Sequence, residues 1–197
     1  MYVYILAVIA GYLLGSIPFG FLIAKAKGVD IRKVGSGNIG FTNVLRSCGV
    51  APGILTCFFD VLKGFLPAYI FLHAGTHGQL CGILAGASAM LGHLFSVWLK
   101  FKGGKGVATG LGIFIALAPW AVLIALVSWI IGVIITRIVS VGSITSGIVL
   151  PVASFIFYGN TPVSYFALFA GLISILRHRQ NIMRLIAGKE SRLGRRK

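Results

Sequence analysis

Residues 107–176 read VATGLGIFIALAPWAVLIALVSWIIGVIITRIVSVGSITSGIVLPVASFIFYGNTPVSYFALFAGLISIL, a run with one charged side chain, Arg137. No soluble domain buries so long an apolar stretch. A helix rises 1.5 Å per residue and a bilayer core is about 30 Å thick, so roughly 20 apolar residues cross it. Pro119, Arg137 and Gly159-Asn160-Thr161-Pro162 break the run into four pieces, 107–118, 120–136, 138–157 and 163–176. The first and last are short for a full crossing, which marks a thinned or cavity-lined region.

Upstream, residues 2–24, 51–72 and 80–99 are further candidate spans, the second carrying Asp60 and Lys63. Residues 25–50 form a long polar linker and 75–78 a tight turn. The N-terminus has no basic n-region and no A-x-A site, so it is expected to stay as a transmembrane helix. Composition agrees: 57% of the 197 residues are hydrophobic and only 11% charged, against roughly 25% in soluble domains. A net charge of +15 would point to nucleic acid in a soluble protein; in this apolar chain it points to basic loops on the cytoplasmic side, with no nucleic-acid partner. Seven crossings place 17 of the 18 Lys and Arg on one side, all but Lys63. The expected architecture is a single all-α membrane domain over 1–197, with seven spans, N-terminus outside and C-terminus cytoplasmic. A five-span version keeps the termini but puts Arg137 outside. Cys48, Cys57 and Cys81 have no C-x-x-C spacing, and neither a disulfide nor a metal site is expected.

Three segments on the inside carry the chemistry: VGSGNIGFTNVLR (34–46), FKGGKG (101–106) after Gly92-His93, and RHRQNIMRLIAGKE (177–190). Each combines basic side chains with Gly, Ser, Thr or Asn, the makings of a phosphate cradle. Gly35-Ser36-Gly37-Asn38-Ile39-Gly40 spells G-x-G-x-x-G, but VDIRKV before it is no apolar strand, and Asp60 lies in a span. Gly104-Lys105 fails as a P-loop because Leu99 and Gly106 occupy the first glycine and Ser/Thr places. No nucleotide cofactor is indicated. There is no G-x-S-x-G, and no histidine is followed by the aspartate of a His-x4-Asp dyad. With three acidic residues, paired-carboxylate catalysis is excluded as well.

The clusters resemble the three signature motifs of the acyl-phosphate:glycerol-3-phosphate acyltransferases, the PlsY family. The resemblance runs from GSIPFG (15–20) through Gly35-Ser36-Gly37-Asn38, Thr42-Asn43 and Arg46, then Asp60, Lys63 and Gly64, then Gly92-His93 to Thr109, and ends at His178, Asn181, Arg184 and Glu190. It implies acyl transfer from a long-chain acyl phosphate to the 1-hydroxyl of sn-glycerol 3-phosphate in the bacterial cytoplasmic membrane. Lysophosphatidic acid and phosphate are the products, membrane lipids surround the chain, the site faces the cytoplasm, and no cofactor is needed.

On that footing Arg46 and Lys105 are expected on substrate phosphates. Ser36, Gly37, Asn38, Thr42, Asn43 and the amides of Gly103 and Gly104 would add contacts. His178 and Asn181, one helical turn apart, would orient the glycerol or polarise the acyl carbonyl. The acyl phosphate is already activated, so its own phosphate can take the hydroxyl proton; His178 as base is the rival. Ser143 is either within reach of the site or a helix-packing serine. Asp60 with Lys63 is either a neutralising pair or a functional lining, and His93 either a bonded helix residue or a support to the site. The rival class is a transporter for phosphate or a phosphorylated metabolite, which the one-sided clusters and the absence of a repeat disfavour. A scaffold binding anionic lipid leaves the Gly-Asn-Thr content unexplained.

Overall fold

The computed structural model describes residues 1–75 and 77–194; Arg195, Arg196 and Lys197, counted in the basic tail, lie outside the described residues. Helices are the only extended regular structure among the described residues, and the chain divides into two compact units, Met1–Leu117 and Ala118–Lys197. The first holds α1 (Tyr2–Ser16), α2 (Phe19–Ala26), α3 (Phe41–Cys48), α4 (Val50–Leu72), α5 (Gly78–Leu94), a 3-10 turn (Val97–Leu99) and α6 (Val107–Leu117). The second holds α7 (Pro119–Thr136), α8 (Val139–Tyr158), α9 (Pro162–Arg177) and α10 (Arg179–Ile186).

Five segments are long and apolar enough to cross a membrane: α1 with α2, α4, α5 with its turn, α7 and α8. At 11 and 16 residues, α6 and α9 are apolar but shorter. Their outer faces are those of lipid-immersed helices. On α7, Leu123, Ile130, Ile134 and Ile135 are exposed while Ala121, Val122 and Ala125 are buried; exposed aliphatic rows of this kind need lipid rather than water.

The punctuation expected in 107–176 falls as read. Pro119 and Pro162 open α7 and α9 at the first helical turn, where a missing N–H is harmless. Arg137 closes α7 in the left-handed region at φ 59°, and Gly159 closes α8 at φ 63°.

Two expectations need correction. Residues 2–24 are not one helix: Pro18 has no N–H and its ring excludes the i−4 carbonyl, so the chain breaks between α1 and α2. The carbonyls at the break find partners near and far, Ile17 O accepting from Phe19 N at 3.1 Å. Ser96 Oγ donates to Ser16 O at 2.6 Å and Lys63 Nζ to Ile17 O at 2.8 Å, as backbone at membrane depth requires. The 25–50 linker is also not loop throughout, since its second half folds into α3.

Small residues set the packing of the first unit. Gly11 and Gly15 of α1 lie so close to α5 that a Cβ on either would overlap the carbonyl oxygen of Ala85 or Ala89. Gly64 and Gly112 bring α4 and α6 together in the same way, against Thr109 O and Val61 O. Such seams are how helices associate where burial from water offers no drive.

Candidate active site

The first basic cluster is a loop fastened to α3 by one side chain. Asn43 is buried; its Oδ1 accepts from Ser36 N at 3.0 Å, and its Nδ2 donates to Ile31 O, Val34 O and Asn38 O at 3.1, 3.1 and 2.9 Å. A Cβ at Gly35, where φ is +59°, would overlap Asn43 Oδ1. Asn38 Oδ1 accepts from Gly40 N at 2.8 Å, and Gly37 N donates to Val34 O at 3.0 Å. Asn43 and the Gly37 amide, expected to meet a ligand, therefore build the loop instead. Ser36 and Arg46 are left exposed and Thr42 half-buried. Thr42 and Arg46 are four apart on α3 and share a face, with Arg46 in the last turn, where a cation suits the helix dipole.

Beneath the loop, Ile31, Ile39 and Val44 form a plug with Ala24 of α2 and Leu99 of the 3-10 turn. Leu99 leads directly into the second cluster, so both basic segments rest on one apolar core. In that second segment Gly103 N donates to Leu94 O at 3.1 Å and Gly104 N to His93 O at 3.0 Å. These two amides were expected to face a phosphate; they are held by the end of α5, because α5 stops at Leu94 and its last carbonyls need donors. A Cβ at Gly103 would overlap His93 O, and one at Gly104 the His93 ring. Lys105 follows, half-buried.

Inside α4 the charges are paired. Lys63 Nζ lies 2.6 Å from Asp60 Oδ1, both side chains 3% exposed, and Lys63 also stands 5.7 Å over the Phe19 ring. His93 Nδ1 is 3.8 Å from the same Asp60 oxygen. The neutralising-pair reading thus has its geometry, with His93 joined to it.

The second unit carries the third cluster. His178, buried between α9 and α10, has Nδ1 2.8 Å from Ser174 O. A carbonyl only accepts, so Nδ1 carries a proton. Asn181, in the first turn of α10, donates its amide to Glu190 Oε1. Ser140 Oγ donates to the same oxygen at 2.8 Å, and Arg184 Nε meets Oε2 at 2.6 Å. Burial pushes the Glu190 carboxyl up, but donation by Arg184, Asn181 and Ser140 outweighs it and holds the pKa below the usual value. Glu190 is the residue whose part in the site the sequence leaves unspecified; its rarity, as one of three acids, is the signal that marks it. Ser143 Oγ donates to Val139 O at 3.1 Å and accepts from Trp129 Nε1 at 3.3 Å, the placement of a helix-packing serine.

The fold and these clusters define a helical integral membrane protein with glycine-framed cations. Its sequence is matched over residues 5–188 by the family model described as glycerol-3-phosphate acyltransferase. It is similar to the glycerol-3-phosphate acyltransferases of Anaeromyxobacter sp. (strain K), 48% identical over 95% of this chain and 96% of that one, and of Endomicrobium trichonymphae, 47% identical over 98% and 97%. The fold is similar to the crystal structure of PlsY (YgiH), an integral membrane glycerol 3-phosphate acyltransferase, in its glycerol 3-phosphate form: TM-score 0.92, 44% identity, 97% of this chain and 96% of that one. The lysophosphatidic acid form matches with a TM-score of 0.90 at 42% identity, over 97% and 95%. The chain belongs to the glycerol-3-phosphate acyltransferase family.

Proposed function

We propose that this chain transfers a fatty acyl group from acyl phosphate to the 1-hydroxyl of sn-glycerol 3-phosphate, the first acylation of bacterial phospholipid synthesis. The observation that carries the reading is its near full-length likeness to a PlsY crystallised with glycerol 3-phosphate in one form and lysophosphatidic acid in another, the acceptor and the product of this reaction. The acyl-phosphate donor is implied by membership of the PlsY type.

Arg46 and Lys105 hold substrate phosphates, with Ser36, Asn38 and Thr42 as further polar contacts. Gly37, Asn43, Gly103 and Gly104 shape the segments that present them. His178 and Asn181 orient the glycerol or polarise the carbonyl, and Glu190 holds Asn181. In the reaction the hydroxyl oxygen bonds to the acyl carbon and the bond from that carbon to the phosphate oxygen breaks. The hydroxyl proton leaves with the phosphate. The protein supplies position and positive charge, which suffices for a donor that is already activated.

Seven crossings, adding α6 and α9 to the five long segments, put the basic segments on the cytoplasmic side of a bacterial inner membrane. Exposed Met183 and Ile186 with Arg179 and Arg184 on α10 suit contact with anionic lipid. The family model covers residues of both units, which supports one acyltransferase domain.

The test uses detergent-solubilised protein with palmitoyl phosphate, acyl-CoA or acyl carrier protein thioester as donor, following lysophosphatidate and phosphate release. Stoichiometric products from acyl phosphate alone, lost in Arg46→Ala and Lys105→Ala, are expected. No product from any donor overturns the reading and makes uptake of phosphate esters into proteoliposomes the next measurement.

A further inference from the structure

A buried ion pair inside a membrane span is a poor device for stability. Taking both charges out of water offsets most of their attraction, and hydrophobic substitutes of like volume are often as stable. What Asp60 and Lys63 touch gives them another use. The pair sits between two segments that carry the basic clusters, and each partner faces one of them.

On one side Lys63 donates to Ile17 O at the end of α1. The α2 helix that starts just beyond presents Gly20 to the first cluster, so near that a Cβ would overlap Ile39 O. On the other side Asp60 faces His93 Nδ1 at 3.8 Å. The opposite edge of that ring, Nε2, lies against Gly104, which has no room for a Cβ. The backbone of the same residue grips the same loop, because His93 O accepts from Gly104 N at 3.0 Å and Leu94 O from Gly103 N at 3.1 Å. Ring and carbonyl of one histidine thus fix the dipeptide that precedes Lys105. A lysine is a point charge on a flexible stem, so the position of its charge depends on how firmly its backbone is anchored. At 3.8 Å the His93–Asp60 contact is electrostatic rather than a hydrogen bond; a leucine would fill the space of the imidazole but offer Asp60 no polar edge.

We infer that His93, set beside the Asp60–Lys63 pair, is a positioning residue that sets where Lys105 meets a substrate phosphate. This rests on the acyltransferase reading and adds a residue to it.

The experiment compares His93→Leu, His93→Asn and Asp60→Asn with wild type in the purified full chain. Initial rates are taken against glycerol 3-phosphate at saturating palmitoyl phosphate and the reverse, with unfolding midpoints alongside. In His93→Leu the KM of a phosphate substrate is expected to rise about 10- to 100-fold while kcat stays within about threefold, the mark of lost binding rather than lost chemistry. Asn at 93, which keeps a polar side chain beside Asp60, recovers part of the KM, and Asp60→Asn shifts the same KM in the same direction. Unchanged KM values, equal KM values for Leu and Asn, or a loss confined to kcat overturn the inference. If His93→Leu does not fold, unchanged KM values in His93→Asn and Asp60→Asn overturn it. A wild type that makes no product from any donor is a failure of the acyltransferase reading instead. The inference then stands or falls on inorganic phosphate binding, expected to weaken in His93→Leu as it does in Lys105→Ala and overturned if it does not.

Discussion

Lys63→Met should unfold this protein far more easily than the double change Asp60→Leu with Lys63→Met. Removing the lysine alone strands a carboxylate that is 3% exposed, a loss of about 3–5 kcal/mol for a broken buried pair. It also removes one of two donors to Ile17 O, which keeps Phe19 N at 3.1 Å, about 0.5–1.5 kcal/mol for one hydrogen bond. Both penalties draw on one side chain and overlap, so about 4–6 kcal/mol is the expected total. In the double variant the stranded charge is gone and only the lost hydrogen bond to Ile17 O remains, about 0.5–1.5 kcal/mol. For a chain of this length about 2–4 °C of melting temperature corresponds to 1 kcal/mol. The single variant should therefore melt roughly 10–20 °C below wild type and the double roughly 1–6 °C below. Unfolding in detergent, followed by the fluorescence of Trp98, Trp120 and Trp129, measures both. A single variant within about 2 °C of wild type, or a double variant no better than the single, would refute the reasoning that Asp60 is buried as a charge and neutralised by Lys63.

Asn43→Asp should be worse than Asn43→Ala, because a carboxylate keeps the bond from Ser36 N but turns acceptor-only atoms toward three carbonyls; melting temperatures and turnover should fall in that order. Stability should decline in acid through Glu190. Its pKa is lowered in the fold, so its contribution is full above the ordinary value of 4.5 and is lost as pH falls through the lowered one. Melting curves from about pH 6 to about pH 3 should show this in wild type and much less of it in Glu190→Gln. For His178→Asn the acidic limb of the pH–rate profile should persist, since the substrate phosphate takes the proton; its disappearance would assign the base to His178. Gly15→Leu should lower the melting temperature by driving α1 off Ala89, an overpacking effect of about 1–3 kcal/mol or more.

What could be read from the residues was what acts locally. Pro119, Gly159 and Pro162 stop or start helices through their own backbone preferences, and Arg137 stands out as the one charge in an apolar run; the helices begin or end at them. Pro18 was equally visible, yet the apolarity of residues 2–24 outweighed it, because the donors that make a break tolerable there are Lys63 and Ser96, 46 and 80 residues beyond their acceptors. The short α3 was hidden in a polar linker because eight residues are too few for a convincing helical period. In the site, residue type and clustering pointed to Arg46 and Lys105 as cations framed by glycine. They did not reveal that the amides of Gly37, Gly103 and Gly104 are engaged, since that depends on where α5 ends and how the loop folds back. Asn43 and Glu190 are the same lesson in side chains: their partners lie up to 12 and 50 residues away.

The break at Pro18 also bears on how the protein enters its membrane. At the break, Ser16 O has no partner within its helix and Ile17 O has the nearby Phe19 N. A second donor to Ile17 O arrives when Lys63 has been synthesised, and the donor to Ser16 O only with Ser96. Until then that point of the chain is a poor fit to hydrocarbon, so the opening segment cannot settle into its final place alone. The joint at Pro18 is complete only with the third long segment, which carries the last of its partners to be made.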